Sequence, residues 1–66
     1  MIYSMVMTRN GHIFFHEVGN TVGDVLTLAS ERINSLGFLH TTTTCNNVEK
    51  YLDNNSHEFK YSITSK

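Results

Sequence analysis

Apolar and polar positions alternate from Ile2 to Val18, a pattern that predicts a β-hairpin. Asn10-Gly11 lies at its centre, and both residues readily adopt the positive φ that a two-residue type I′ turn requires. The turn predicts strands from Ile2 to Arg9 and from His12 to Val18, and it fixes their register. The predicted cross-strand pairs are Thr8 with Ile13, Met7 with Phe14, Val6 with Phe15, Met5 with His16, and Tyr3 with Val18.

Both faces of this hairpin carry apolar side chains, whereas an antiparallel hairpin usually presents one apolar and one polar face. The predicted register gives one face Tyr3, Met5, Met7, Phe14 and Val18, with His12 and His16. It gives the other face Ile2, Val6, Ile13 and Phe15, with Ser4, Thr8 and Glu17. Because a chain of 66 residues has little material with which to cover two faces, the pattern indicates a partner. The pattern leaves open which face a helix covers.

The apolar period then changes to that of a helix. One stripe repeats every three to four residues and consists of Val22, Val25, Leu26, Ala29, Ile33 and Leu36. Thr21 is placed to cap the first turn, and Asp24 favours the positive end of the helix. Polar residues, Thr27, Ser30, Glu31, Asn34 and Ser35, occupy the opposite side. Gly37 is typical of the left-handed residue that ends a helix.

The remaining residues predict two strands and a short helix. Leu39 to Cys45 contains four consecutive threonines, which favour extended chain, either as a third strand or as an ordered loop. Asn46 or Asn47 then caps a short helix whose apolar face is Val48, Tyr51 and Leu52, and Asp53 to Ser56 forms a turn. His57 to Thr64 alternates as a last strand, with Phe59, Tyr61 and Ile63 pointing inward.

The predicted fold is therefore a single α+β domain over residues 1–66, with the element order ββαβαβ. A small, mostly antiparallel sheet has the long helix packed on one face.

Composition and charge argue against a nucleic-acid-binding, membrane-spanning or disulfide-stabilised protein. The net charge is −1 and charged residues make up 17 % of the chain, so no electrostatic surface for nucleic acid or an anionic membrane is indicated. Cys45 is the single cysteine, which excludes an intramolecular disulfide and favours a reducing compartment. No apolar run approaches the ~20 residues of a membrane-spanning helix. We therefore expect a cytoplasmic protein.

The candidates for chemistry are few, and we expect neither an enzyme nor a metal or cofactor. His12 and His16 would lie roughly 13 Å apart along a strand, too far to bind one zinc ion. His40 and Cys45 are an odd number of positions apart and would point to opposite faces of a strand. A nucleophilic role for Cys45 would require His40 or His57 to lie beside it in the fold.

The leading hypothesis is a non-enzymatic protein-binding module that covers a surface of a larger protein. The predicted binding residues lie on one hairpin face and at its end: Tyr3, Met5, Met7, Arg9, His12, Phe14 and His16. Methionine adapts its shape to a partner, and aromatic side chains serve as anchors. A composition rich in Asn and without Pro or Trp is typical of AT-rich genes, which favours an inhibitor encoded by a phage or mobile element and directed at a host protein.

We also expect a homodimer, in which the second hairpin face or an unpaired strand edge joins two copies. Such a dimer is compatible with binding a host protein, since it can present two copies of a second site. One alternative from another class of function remains open. A nucleic-acid-binding regulator would stack bases on Tyr3, Phe14 and Phe15, although such sites also need a basic groove.

Overall fold

The computed structural model describes residues 1–37 and 42–66 and contains a three-stranded antiparallel sheet and two helices. The elements are β1 (Tyr3–Arg9), β2 (His12–Gly19), α1 (Val22–Leu36), α2 (Val48–Asn54) and β3 (Phe59–Ser65). The strand order is β2-β1-β3, so the first strand is central. The predicted α+β class is confirmed. The predicted ββαβαβ order is wrong, because the described residues form ββααβ.

The hairpin turn between β1 and β2 forms as predicted. Asn10 has a φ of 52° and Gly11 a φ of 85°, the two consecutive positive values of a type I′ turn. Next to the turn, Thr8 pairs with Ile13 as predicted.

Beyond Thr8 the register shifts by one residue. The observed pairs are Met7 with Phe15, Val6 with His16, Met5 with Glu17, and Tyr3 with Gly19. The predicted pairs of Met7 with Phe14, Val6 with Phe15, Met5 with His16, and Tyr3 with Val18 are therefore wrong. The reason is a β-bulge, in which one extra residue of a strand is accommodated opposite its partner.

The bulge brings both phenylalanines of β2 to the side of the sheet that the helices cover. Phe15 is buried, with 3 % of its surface exposed, and the half-buried Phe14 ring lies 5.9 Å from the Phe59 ring in an edge-to-face arrangement. The same shift turns His16 and Val18 towards the opposite side of the sheet, because they pair with Val6 and Ser4 of β1. One inserted residue thus redistributes the side chains of β2.

Helix α1 begins and ends at the predicted residues. The Thr21 hydroxyl accepts a hydrogen bond from the backbone N–H of Asp24 at 3.1 Å, and Gly37 ends the helix with a φ of 69°. The middle of the predicted stripe is buried, whereas Val22 and Leu36 at its two ends are exposed. Ser30, which was assigned to the polar side, is buried as well.

The predicted strand from Leu39 to Cys45 is not confirmed. Residues 38–41 lie outside the described residues, and residues 42–45 form no strand. The Asn34 side chain instead binds the backbone of Thr43: its Oδ1 accepts the Thr43 N–H and its Nδ2 donates to the Thr43 carbonyl, each at 2.9 Å. The Thr43 hydroxyl also donates to the carbonyl of Ser30 at 3.2 Å. These bonds satisfy the backbone groups that a neighbouring strand would otherwise pair.

The short helix and the last strand largely follow the prediction. Asn47 holds the N-cap position of α2, but its side chain accepts the Thr44 N–H at 2.7 Å instead of capping the helix. In β3, Phe59 is buried, Tyr61 and Ile63 are half-buried, and Lys60 and Ser62 are exposed, as the alternation predicts.

The core lies between the helices and one face of the sheet. Its buried apolar residues are Met5, Met7, Phe15, Val25, Leu26, Ala29, Ile33, Val48, Leu52 and Phe59. Every buried side-chain nitrogen or oxygen of the described residues has a hydrogen-bond partner. Among those residues, no helix is long and apolar enough to cross a bilayer.

Candidate functional site

The sheet face opposite the helices, here called the open face, is the candidate site. Successive side chains of a strand point to opposite faces, and residues paired across strands share a face. The residues of the open face are therefore the even-numbered positions of β1 and the residues of β2 and β3 that pair with them. Three rows of paired residues cross this face, each given in the order β2, β1, β3: Ile13, Thr8 and Lys60; His16, Val6 and Ser62; and Val18, Ser4 and Thr64. Ile2 and Lys66, which adjoin the ends of β1 and β3, form a fourth row.

Aliphatic side chains on the β2 and β1 part of the open face are exposed to solvent. Ile13 is 69 % exposed, Val18 58 % and Ile2 53 %. Val6 lies at the centre of the sheet and is half-buried. Ile2 and Val18 also line one depression, together with Ser4, His16, Thr64 and Lys66. An apolar area of this kind is typical of a binding surface.

The β3 part of the open face is polar and positively charged. Lys60 and Lys66 stand at its two ends, with the hydroxyls of Ser62 and Thr64 between them. Across the face, the Ser4 hydroxyl lies 3.1 Å from Nε2 of His16, within hydrogen-bond distance. The described part of the chain places no Asp or Glu side chain on this face.

The negative charge of the protein lies on the other side of the sheet or at its margin. Glu17 pairs with Met5 and so faces the helix side, where it lines a groove with Glu31 and Arg32 of α1. Glu58, just before β3, forms an ion pair with Arg9. The other carboxylates, Asp24, Glu49 and Asp53, belong to the helices. The sheet therefore separates a positive face from a side that is net negative.

A hydrogen bond joins α2 to β3 on the helix side. The Tyr61 hydroxyl donates to Oε2 of Glu49 at 3.1 Å. Burial, and then this bond and the charge of Glu49, raise the pKa of the Tyr61 phenol to about 12. Burial also raises the pKa of Tyr51, with a further contribution from Glu58. Tyr61 therefore remains protonated at neutral pH and acts as a structural donor.

The predicted binding residues do not form one surface. Met5 and Met7 have no exposed surface and belong to the core, because α1 covers the face of β1 on which they lie. Tyr3 and Phe14 are half-buried against that core. The two methionines are therefore not accessible to a partner.

The polar members of the predicted set lie in three places. Arg9 is bound to Glu58 and lies over the Phe59 ring at 5.9 Å. His12 is exposed beside the hairpin turn, and His16 lies on the open face. The sequence did not predict that Ile13, His16 and Val18 share a face. The bulge that groups them lies at Phe14 and Phe15, and two consecutive apolar residues do not reveal a bulge.

The described residues offer little for metal or covalent chemistry. They contain no group of three His, Cys, Asp or Glu side chains that could hold a metal ion. The Cys45 thiol is exposed, 3.7 Å from Oδ1 of Asn46. His40, one of the two bases considered for it, lies outside the described residues.

The aromatic side chains considered for nucleic-acid stacking lie on the helix side. Phe15 is buried under Arg32, whose guanidinium lies 5.9 Å from the ring centre, and Tyr3 and Phe14 pack against the core. Among the described residues, the open face carries no Phe, Tyr or Trp side chain, and His16 is its one aromatic ring, which gives bases little on which to stack.

Comparison with protein-family models, with curated proteins and with solved structures finds no match to this chain.

Proposed function

We propose that this protein is a small non-enzymatic protein-binding module whose open face covers a surface of a larger protein. The observation that carries the proposal is the exposure of Ile2, Ile13 and Val18 on one side of a sheet whose other side packs against both helices. Because the core is complete without them, these side chains add little to the fold of the monomer. Covering them removes apolar area from water, worth about 25 cal/mol per Å².

The open face suits a protein better than a nucleic acid. It has two lysines, whereas nucleic-acid affinity normally depends on many phosphate contacts. The aromatic side chains considered for stacking on bases, Tyr3, Phe14 and Phe15, lie on the other side of the sheet.

A second copy of this chain is a poorer occupant than a different protein. Face-to-face pairing would bring Lys60 and Lys66 of both copies to one interface, and residues 1–37 and 42–66 place no Asp or Glu side chain on either face to neutralise them. As an inhibitor encoded by a phage or mobile element, which composition favours, the protein would act by occluding a host protein.

The test compares capture by three forms of the immobilised protein from one bacterial lysate. The open-face variant, Ile13→Thr plus Val18→Thr, removes apolar surface but keeps β-branched side chains in the strand. The control variant, Leu28→Gln plus Leu36→Gln, removes apolar surface from α1, where these side chains are 38 % and 44 % exposed. We expect a protein that the wild type and the control retain and the open-face variant loses.

Binding is then measured with that protein in purified form, with and without nuclease treatment and at low and high salt. Affinity that withstands both treatments supports a largely apolar protein interface. The proposal is contradicted if all three forms capture the same proteins, or if retention disappears after nuclease treatment.

A further inference from the structure

The distribution of charge and apolar area across the open face defines the kind of protein surface that fits it. The aliphatic residues occupy the part formed by β2 and β1, and the lysines lie on the β3 part. Neighbouring strands are about 4.8 Å apart, so two strands are about as wide as one α-helix with its side chains, roughly 10 Å. The apolar part therefore has the width of one helix.

The distance between the two lysines constrains where a partner helix must carry its negative charges. Lys60 and Lys66 are separated along β3 by about 20 Å, at roughly 3.3 Å per residue. A helix rises about 1.5 Å per residue, so the same distance spans about four turns, or about 14 residues. Residues that far apart lie on the same side of a helix. Two carboxylates at that separation, beside an apolar stripe, would meet both lysines.

The other side of this same sheet is already covered by a helix. Helix α1 places Val25, Ala29 and Ile33 in the core against the opposite side of β1 and β2. An apolar sheet face is stabilised by packing against another element, and α1 shows that a helix fits this sheet. A helix of a partner protein would cover the open face in the same way.

From this geometry we infer that the open face binds an amphipathic helix of a partner protein, with an apolar stripe and carboxylates about four turns apart. This inference rests on the proposed function and specifies the partner of the same surface. It predicts preference for acidic over basic helices, because the face presents lysines and no Asp or Glu side chain in the part of the chain described.

The test uses three synthetic helical peptides of about 18 residues with the same apolar stripe. One carries two glutamates about 14 positions apart, the second carries lysines there, and the third carries the two glutamates one turn apart. Each is titrated into the isotope-labelled full chain, and backbone amide shifts in the NMR spectrum report both the site and the affinity.

We expect the first peptide to bind about tenfold more tightly than the lysine peptide, because its carboxylates attract Lys60 and Lys66 whereas lysines repel them. Low salt is used because salt screens exposed charges. The shifted amides should lie in the three strands. The Lys60→Glu plus Lys66→Glu variant should reverse the preference. Lys50→Glu, which changes an exposed lysine of α2, should leave it unchanged.

Each contrary result has a distinct meaning. Equal binding of the acidic and basic peptides at the strands overturns the charge requirement but leaves the proposed protein-binding surface intact. Equal binding of the two glutamate peptides overturns the spacing. Binding of none of them overturns a helix as occupant, and the capture experiment then decides separately whether the open face binds a protein at all.

Two further probes distinguish other anionic partners. Vesicles of neutral and anionic phospholipid and a single-stranded DNA oligonucleotide are titrated in the same way. Shifts on the open face that are larger with either probe than with the acidic peptide would overturn the inference, in favour of a lipid surface or a nucleic acid respectively.

Discussion

At the scale of single residues, Met5 and Ile13 show how differently two apolar side chains of one hairpin contribute. Met5 has no exposed surface, whereas Ile13 is 69 % exposed. Truncating a buried methionine leaves a cavity, while replacing an exposed residue by one of similar shape does not. Exposure, and not hydrophobicity alone, separates residues that hold the fold from those available to a partner.

We therefore expect Met5→Ala to lower the free energy of unfolding by about 2–5 kcal/mol. Ile13→Thr should change it by no more than about 0.5 kcal/mol, as is usual for surface positions. Urea unfolding of the two variants and the wild type measures both. Equal losses of stability would mean that Ile13 is part of the core and that the open face is assigned to the wrong side.

Tyr61 gives the protein a specific dependence on high pH. Its pKa is raised from the ordinary value of 10 to about 12, so the folded state holds the phenolic proton more tightly than the unfolded chain does. The corresponding stability is present below pH 10 and is lost as the pH rises to about 12. Tyr61→Phe should lack this loss.

Unfolding free energies of the wild type and Tyr61→Phe across that pH range test the expectation, because other titrating groups are common to both. Tyrosinate absorbance at high pH should be smaller in the variant by the titration of one tyrosine, because Tyr51, whose pKa is also raised, ionises in both proteins. If the two proteins lose stability in parallel, the Tyr61–Glu49 hydrogen bond does not join α2 to β3 in solution.

At the scale of elements, Gly19 marks the place where β2 passes close to the start of α1. A Cβ at Gly19 would lie 2.8 Å from the Cβ of Asp24 and 3.2 Å from Cγ1 of Val25. The Asp24 Cβ is attached directly to the helix backbone, so relief of the contact requires the helix to move. The absence of a side chain at Gly19 thus allows α1 to fold back onto the sheet.

Gly19→Ala should therefore destabilise the protein by about 1–3 kcal/mol, the usual cost of overpacking. Gly23→Ala is the matched control, since the nearest atom to an added Cβ there is 3.7 Å away and alanine favours a helix. The control should be neutral or stabilising by up to about 1 kcal/mol. Thermal unfolding of both variants measures the difference. A Gly19→Ala protein as stable as the control would show that the two elements are not in close contact.

The elements that the sequence predicts correctly are those that local chemistry specifies. Asn10-Gly11 determines its turn, and Thr21 and Gly37 determine the ends of α1, because each acts on neighbouring backbone. The bulge in β2 was missed because Phe14 and Phe15 are equally apolar, so a single inserted residue does not alter the pattern.

The predicted third strand was wrong over residues 42–45 for a different reason. The β-branched threonines favour extended chain, but the backbone of Thr43 is paired by the Asn34 side chain, nine positions earlier. Such a tertiary hydrogen bond is not visible in the propensity of either residue. The same bonds draw Thr43 into the interior beside Ser30.

At the scale of the whole molecule, the sheet separates two surfaces of different character. One side carries both helices and is net negative, and the other carries exposed aliphatic residues and two lysines. Sequence patterning predicts that one hairpin face lacks a cover. It did not identify which face, because that depends on the bulge and on the side to which α1 returns.

If the open face binds a different protein, it is free in the isolated chain. Light scattering with size-exclusion chromatography over a wide concentration range detects self-association of the wild type and of the Ile13→Thr plus Val18→Thr variant. We predict a monomer of 7.5 kDa for both. A wild-type dimer that the double variant reduces to monomers would contradict this prediction, because a second copy would then occupy the open face.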